Sequence, residues 1–158
     1  MYEKSVLVVR WLLGIQYLLS GLNWWYKILP FPSLHDPAGM PMKQAVVGAM
    51  IATGWMFYLA KVVELTAGLS LLFNRYVPLM LVASMSVAVL TFLLDAMNYQ
   101  PIVGWIAGTV SSRAAFACFL DMIFFGGAVL SMQIYLMIAY LHHYKPMLVA
   151  KADVRMPA

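Results

Sequence analysis

Four long apolar runs decide what this 158-residue chain can fold into. They extend from about Ser5 to Leu29, Gly54 to Phe73, Val77 to Met97 and Ala115 to Leu141. Each is long enough to cross a hydrocarbon layer about 30 Å thick, which takes about 20 helical residues. Backbone amides in lipid have no water to bond, so each run must satisfy its own and becomes a helix. A β-barrel needs alternating polar positions and about eight strands or more, and the runs supply neither. With 64% hydrophobic and 10% charged residues, against about 45–50% and about 25% in a soluble domain, no water-soluble core could hide this much apolar surface. Disorder needs the opposite composition and is excluded.

The expected fold is therefore all-α: one membrane domain over residues 1–158, with four transmembrane helices in an antiparallel bundle and a short interfacial helix. The interfacial helix is expected at about 40–53, a stretch too short to span, with Lys43 and Gln44 near its start. Pro30, Pro32 and Pro37 make Ile28 to Gly39 an irregular loop, and Asn98 to Arg113 reads as a second loop with an apolar middle. The connection Phe73-Asn74-Arg75-Tyr76-Val77-Pro78 fits a tight helical hairpin, with Pro78 tolerated in the first turn of the next helix. The first run exceeds the 7–15 apolar residues or so of a cleaved leader and lacks a small-residue cleavage site, so it is expected to persist as a helix. Four spans put both termini on one side, together with Lys4, Arg10, Arg75, Lys145, Lys151 and Arg155. Lys27, Lys43 and Arg113 fall on the other. The positive-inside rule then places both termini in the cytoplasm.

The informative residues are those whose position costs free energy. Lys61 and Glu64 lie well inside the second run, where a charge costs at least about 2.5–3.5 kcal/mol on insertion scales and must find a partner in the bundle. Arg10, Asp95 and Asp121 also fall within apolar runs. Depth along the helices predicts an Arg10–Glu64 pair and a Lys61 contact with Asp121 or Asp95, with Lys61 and Glu64 also neighbours at i, i+3. Gly14, Gly21 and Gly68 lie on the same faces, where helices can approach closely. Two uses for the charges stay open: fixing helix register, or serving a proton path or a polar pocket for a quinone head group.

Other chemistries find little support. His35 lies in a loop, and His142 with His143 at the end of the fourth run, so no histidine suits haem ligation and no metal site is expected. Cys118 is the only cysteine, which excludes an internal disulfide or a CxxC pair. Thirteen scattered methionines read as packing residues. Basic residues form no stripe, so a nucleic-acid partner is not expected.

The run Arg10-Trp-Leu-Leu-Gly-Ile-Gln-Tyr-Leu-Leu-Ser-Gly21, followed by Lys27, resembles the first helix of DoxX-like membrane proteins. So does Leu59-Ala-Lys-Val-Val-Glu64-Leu-Thr-Ala-Gly68-Leu-Ser-Leu-Leu-Phe-Asn-Arg75-Tyr-Val-Pro78-Leu, with its intramembrane Glu, small residue four on and Asn-Arg-x-Val-Pro-Leu hairpin. The likeness covers about Arg10 to Leu94. It implies a four-helix bundle in a bacterial or archaeal cytoplasmic membrane, in a family associated with membrane oxidoreductase systems, a quinone-linked one among them. Relatives that handle thiols carry cysteine pairs, which this chain lacks. The expected function is an accessory or anchoring subunit of a membrane complex, with other membrane subunits or a second copy as partners and the bilayer as solvent. A component handling quinone or protons at the Arg/Lys/Glu cluster and a small-solute transporter are the alternatives. No cofactor is evident, quinone or lipid being the candidates.

Overall fold

The computed structural model describes residues 2–26, 28, 41–96 and 99–145; the side chains of Pro41, Met42, Ala117, Asp121 and Phe125 fall outside this description. Helices α1 (Tyr2–Tyr26), α3 (Met56–Phe73) and α4 (Val77–Ala96) match the first three apolar runs. The fourth run is built from α6 (Ser112–Leu120), a π-helical segment (Asp121–Gly127) and α7 (Ala128–Ala139). Helix α2 (Pro41–Ala52) is the short apolar helix, α5 (Gln100–Ile106) follows α4, and α8 (Leu141–Tyr144) is one closing turn. Among the described residues there is no β-strand, and four helical stretches are long and apolar enough to cross a membrane. The protein is an all-α membrane bundle.

Helix α1 packs against α3 and α7, α3 against α4, and α4 against the π segment and α7, which closes a ring of four. Leu13, Tyr17, Ala67, Leu71, Val77, Leu81, Ala88, Val129 and Leu136 fill its centre. Its outer face is apolar: Leu7, Val8, Trp11, Leu12 and Ile15 of α1 are exposed, while Arg10 and Tyr17 of the same helix are buried. This is the reverse of a soluble bundle and follows from lipid being the solvent.

Two turns set the helix order. Thr53 starts α3 by accepting the Met56 N–H at 3.1 Å on its hydroxyl, which itself donates to the Met50 carbonyl. Gly54 beside it has φ of 77°, a conformation that costs glycine little. The α3–α4 hairpin turns through Asn74 at φ 55° and Tyr76 at φ 56°. There the Arg75 N–H returns to the Ser70 carbonyl at 3.0 Å, and the Ser70 hydroxyl donates to the Arg75 carbonyl. Pro78 lies in the first turn of α4, where its missing N–H has no intrahelical partner to lose.

Three sequence expectations need revision. Helix α1 begins at Tyr2 rather than Ser5, because Tyr2, Glu3 and Lys4 continue its hydrogen bonding into the interface. The segment Asn98 to Arg113 contains a helix, α5, with Pro101 in its first turn and Gly108 at φ 73° just beyond its end. The fourth run is not a uniform α-helix: the Ala128 N–H bonds the Ile123 carbonyl five residues back. Such a π segment widens the helix by one residue and frees a carbonyl. Phe124 shows this, its carbonyl accepting the Gln16 side-chain amide of α1. The Ile28–Gly39 loop, apart from Ile28, and the tail after Lys145 lie outside the described residues.

Helices α1 and α3 approach closely at three glycines. A Cβ on Gly68 would lie 2.9 Å from the Gly14 carbonyl oxygen and 2.8 Å from Leu18 Cγ. A Cβ on Gly21 would lie 2.7 Å from Leu65, and one on Gly14 3.1 Å from Leu72. Gly68→Ala should therefore destabilise the protein by about 1–3 kcal/mol, since the backbone oxygen it meets cannot rotate away. Gly48→Ala, with nothing within 4 Å, should gain up to about 1 kcal/mol from helix propensity. Denaturant unfolding in detergent micelles reads both, and equal effects would refute the assignment.

Candidate functional site

The second run brings Lys61 and Glu64 onto the inner face of α3, both buried. They pair with each other: Lys61 Nζ lies 2.8 Å from Glu64 Oε2 and also donates to the Ser20 hydroxyl of α1 at 3.2 Å. The ammonium sits 5.4 Å from the centroid of the Phe57 ring, a cation–π distance. Phe57 in turn packs edge-on against Trp24, 4.4 Å between centroids.

The expected Arg10–Glu64 pair does not form. Arg10 donates instead to the Asn74 side-chain oxygen and, at 3.5 Å, to the Tyr140 hydroxyl. The register of the two helices explains the difference. Gly14 faces Leu71 and Leu72 while Gly21 faces Leu65, so Glu64 is level with the end of α1 near Gly21. The rise from Arg10 to Gly21 is about 16 Å, beyond the reach of any arginine. Helix α1 extends about two turns past the α3–α4 hairpin, so Arg10 sits beside that hairpin although it is eight residues into its helix. Lys61 does not meet Asp95. Asp95, only 2% exposed, pairs with Lys43 of α2 at 2.6 Å, and the Asp121 side chain lies outside the described residues.

A second polar cluster was not singled out from the sequence. Gln133, fully buried on α7, accepts the Tyr17 hydroxyl at 2.9 Å. Its amide nitrogen donates to the Leu81 carbonyl at 2.6 Å and to the Ser84 hydroxyl at 2.9 Å. One side chain thus ties α1, α4 and α7 together. The signal available was the one that marked the charges: a lone amide within an uninterrupted apolar run must find partners inside the bundle. The π segment adds a close contact, since a Cβ on Gly126 would lie 3.0 Å from the Asp95 Cβ.

At the hairpin end, Asn74 closes α3 in the left-handed conformation, with Arg75 exposed beside it. The buried Tyr144 hydroxyl donates to the Pro78 carbonyl at 2.9 Å. Burial, with the neighbouring Tyr140, pushes that phenol above its ordinary ionisation range. The rings of His142 and His143 lie 3.9 Å apart between centroids, tilted by 43°. Among the described residues no group of three or more His, Cys, Asp or Glu is placed to hold a metal ion.

The chemistry available is thus a shielded ammonium–carboxylate pair, a neutral hydrogen-bonded cluster and a separate buried guanidinium. Comparison with family models, curated proteins and solved structures finds no match for this chain.

Gln133→Leu should cost about 1–3 kcal/mol, because it strips partners from buried hydroxyl and carbonyl groups on two other helices. Tyr17→Phe should cost less, about 0.6 kcal/mol, the average for a single interhelical bond in lipid. Unfolding of the two variants in micelles tests the order. Asp95→Asn should leave the bundle folded while speeding amide exchange across Pro41–Ala52, read by hydrogen-exchange mass spectrometry. Unchanged exchange would show that the Lys43 pair does not hold α2.

Proposed function

We propose that this small membrane-embedded bundle is an accessory or anchoring subunit of a larger membrane complex, of the quinone-linked redox kind. The observation that carries this reading is the internal pairing of its charges: Lys61 with Glu64 and Asp95 with Lys43, both at hydrogen-bond distance. Charges neutralised within one chain are held in place and stabilise a scaffold. The polar atoms point inward, which leaves the apolar outer faces of α1, α3 and α4 to lipid or to neighbouring subunits. The likeness of Arg10 to Leu94 to DoxX-like proteins supports the redox setting and a bacterial or archaeal cytoplasmic membrane. The excess of basic residues on the side of the termini supports a cytoplasmic location for both. Gentle solubilisation followed by native mass determination should give a particle larger than the 17.7 kDa chain, containing another membrane subunit. A lone monomer with no co-purifying partner would sink the proposal.

One observation favours a second reading, in which Lys61 and Glu64 handle a proton or a quinone head group. Their ion pair runs along a single helix, so it does not itself join two helices; only the Lys61–Ser20 bond does. A register device would not need both charges. On this reading Glu64→Gln lowers quinone reduction by the purified particle on the order of 100-fold, the low end for loss of a positioned acid or base. The far-ultraviolet spectrum and membrane insertion stay intact. Unchanged turnover in a folded variant would remove this role.

A further inference from the structure

Among the described residues, Arg10 is a buried charge without a counter-ion. It is 9% exposed, and among the described residues no carboxylate lies within 4.0 Å of it. Its partners, Asn74 and Tyr140, are neutral, and its buried Nε has none. The ends of α3 and α7 lie beside it, and their carbonyls carry partial negative charge. That offsets part of a full positive charge and leaves the Nε–H unbonded.

Beside Arg10 a crevice of roughly 230 Å³ opens between the first turns of α1 and the end of α7. Tyr2, Glu3, Val6, Leu7, Ala139 and Tyr140 complete its walls. The polar groups are graded along it. Arg10 lies deepest, and Glu3 is seven residues back on the same helix, about 10 Å nearer the chain start. Val6, Leu7 and Ala139 supply the apolar wall, and Leu7 is exposed to the hydrocarbon side. The other described charged or imidazole side chains at this end, Lys4, Arg75, His142, His143 and Lys145, are exposed and do not line the crevice.

An anion against Arg10, a cation against Glu3 and acyl chain along the apolar wall describe an amphiphile. We propose that this crevice is a binding site for a zwitterionic phospholipid, with the phosphate accepting hydrogen bonds from the Arg10 guanidinium and the ammonium of the head group facing Glu3. The volume suits a head group while the chains run in the bilayer. The site is independent of the scaffold reading, and a lone monomer would hold it equally well.

Native mass spectrometry of the full chain, delipidated and then given equal amounts of phosphatidylethanolamine and phosphatidylglycerol, tests it. One phosphatidylethanolamine per chain is expected to remain bound. Arg10→Gln should lower its retention by about tenfold, the scale of one charge-assisted hydrogen bond. Glu3→Gln should abolish the preference over phosphatidylglycerol. Ala139→Trp fills the crevice without altering Arg10, so it should remove the lipid even if Arg10→Gln proves unstable. An unchanged melting temperature confirms that this variant is folded. The proposal is overturned by wild-type protein retaining no lipid, by retention unaffected in folded Ala139→Trp, or by a preference for phosphatidylglycerol. Displacement of the lipid by millimolar inorganic phosphate would overturn it in favour of a soluble anion.

Discussion

The bundle depends on how closely α1 lies against α3. Gly68 sits almost on the Gly14 carbonyl, with Leu18 and Leu65 filling the notches left by Gly68 and Gly21. Lipid offers no hydrophobic gain for bringing two apolar helices together, so close packing at small residues has to supply the attraction. Small residues also discriminate between registers, because a shift of one turn would set side chains against the Gly14 carbonyl. The register in turn decides the electrostatics. It brings Ser20 to Lys61 and Asn74 to Arg10, and it separates Arg10 from Glu64.

Around that contact the polar groups are divided by depth. The Lys61–Glu64 pair lies toward the end of α1 near Trp24, and the Arg10 guanidinium lies at the opposite end beside the α3–α4 hairpin. Between them the Gln133 amide bonds three helices without any net charge. A neutral amide reaches this arrangement without the desolvation cost of an ion, which suits it to the centre of the bundle. At the α2 end, the Asp95–Lys43 pair and the π segment share one neighbourhood. Gly126 is what allows the widened helix to lie against Asp95.

Several features are legible in the amino-acid sequence. The hairpin at Asn74-Arg75-Tyr76 was evident from its brevity and from Pro78, and α2 from an apolar stretch too short to span. The inward placement of Lys61 and Glu64 followed from the cost of charge in lipid. Gln133 carries the same signal without a charge, since the four hydrogen-bonding sites of its amide also need partners. The π segment had no comparable signature, since Gly126 and Gly127 are tolerated in an ordinary transmembrane helix.

The amino-acid sequence alone determined that this chain is a four-span helical bundle and that its few intramembrane polar residues face inward. Both follow from the absence of water in the bilayer, a constraint acting on each residue separately. Which polar groups meet was decided by tertiary structure. Pairing depends on the relative height of two helices, and that height was set by Gly14 against Gly68 and by two extra turns of α1, neither of which can be counted from span boundaries. For that reason Glu64 is paired along its own helix, and Arg10 waits at the bundle's edge beside a crevice.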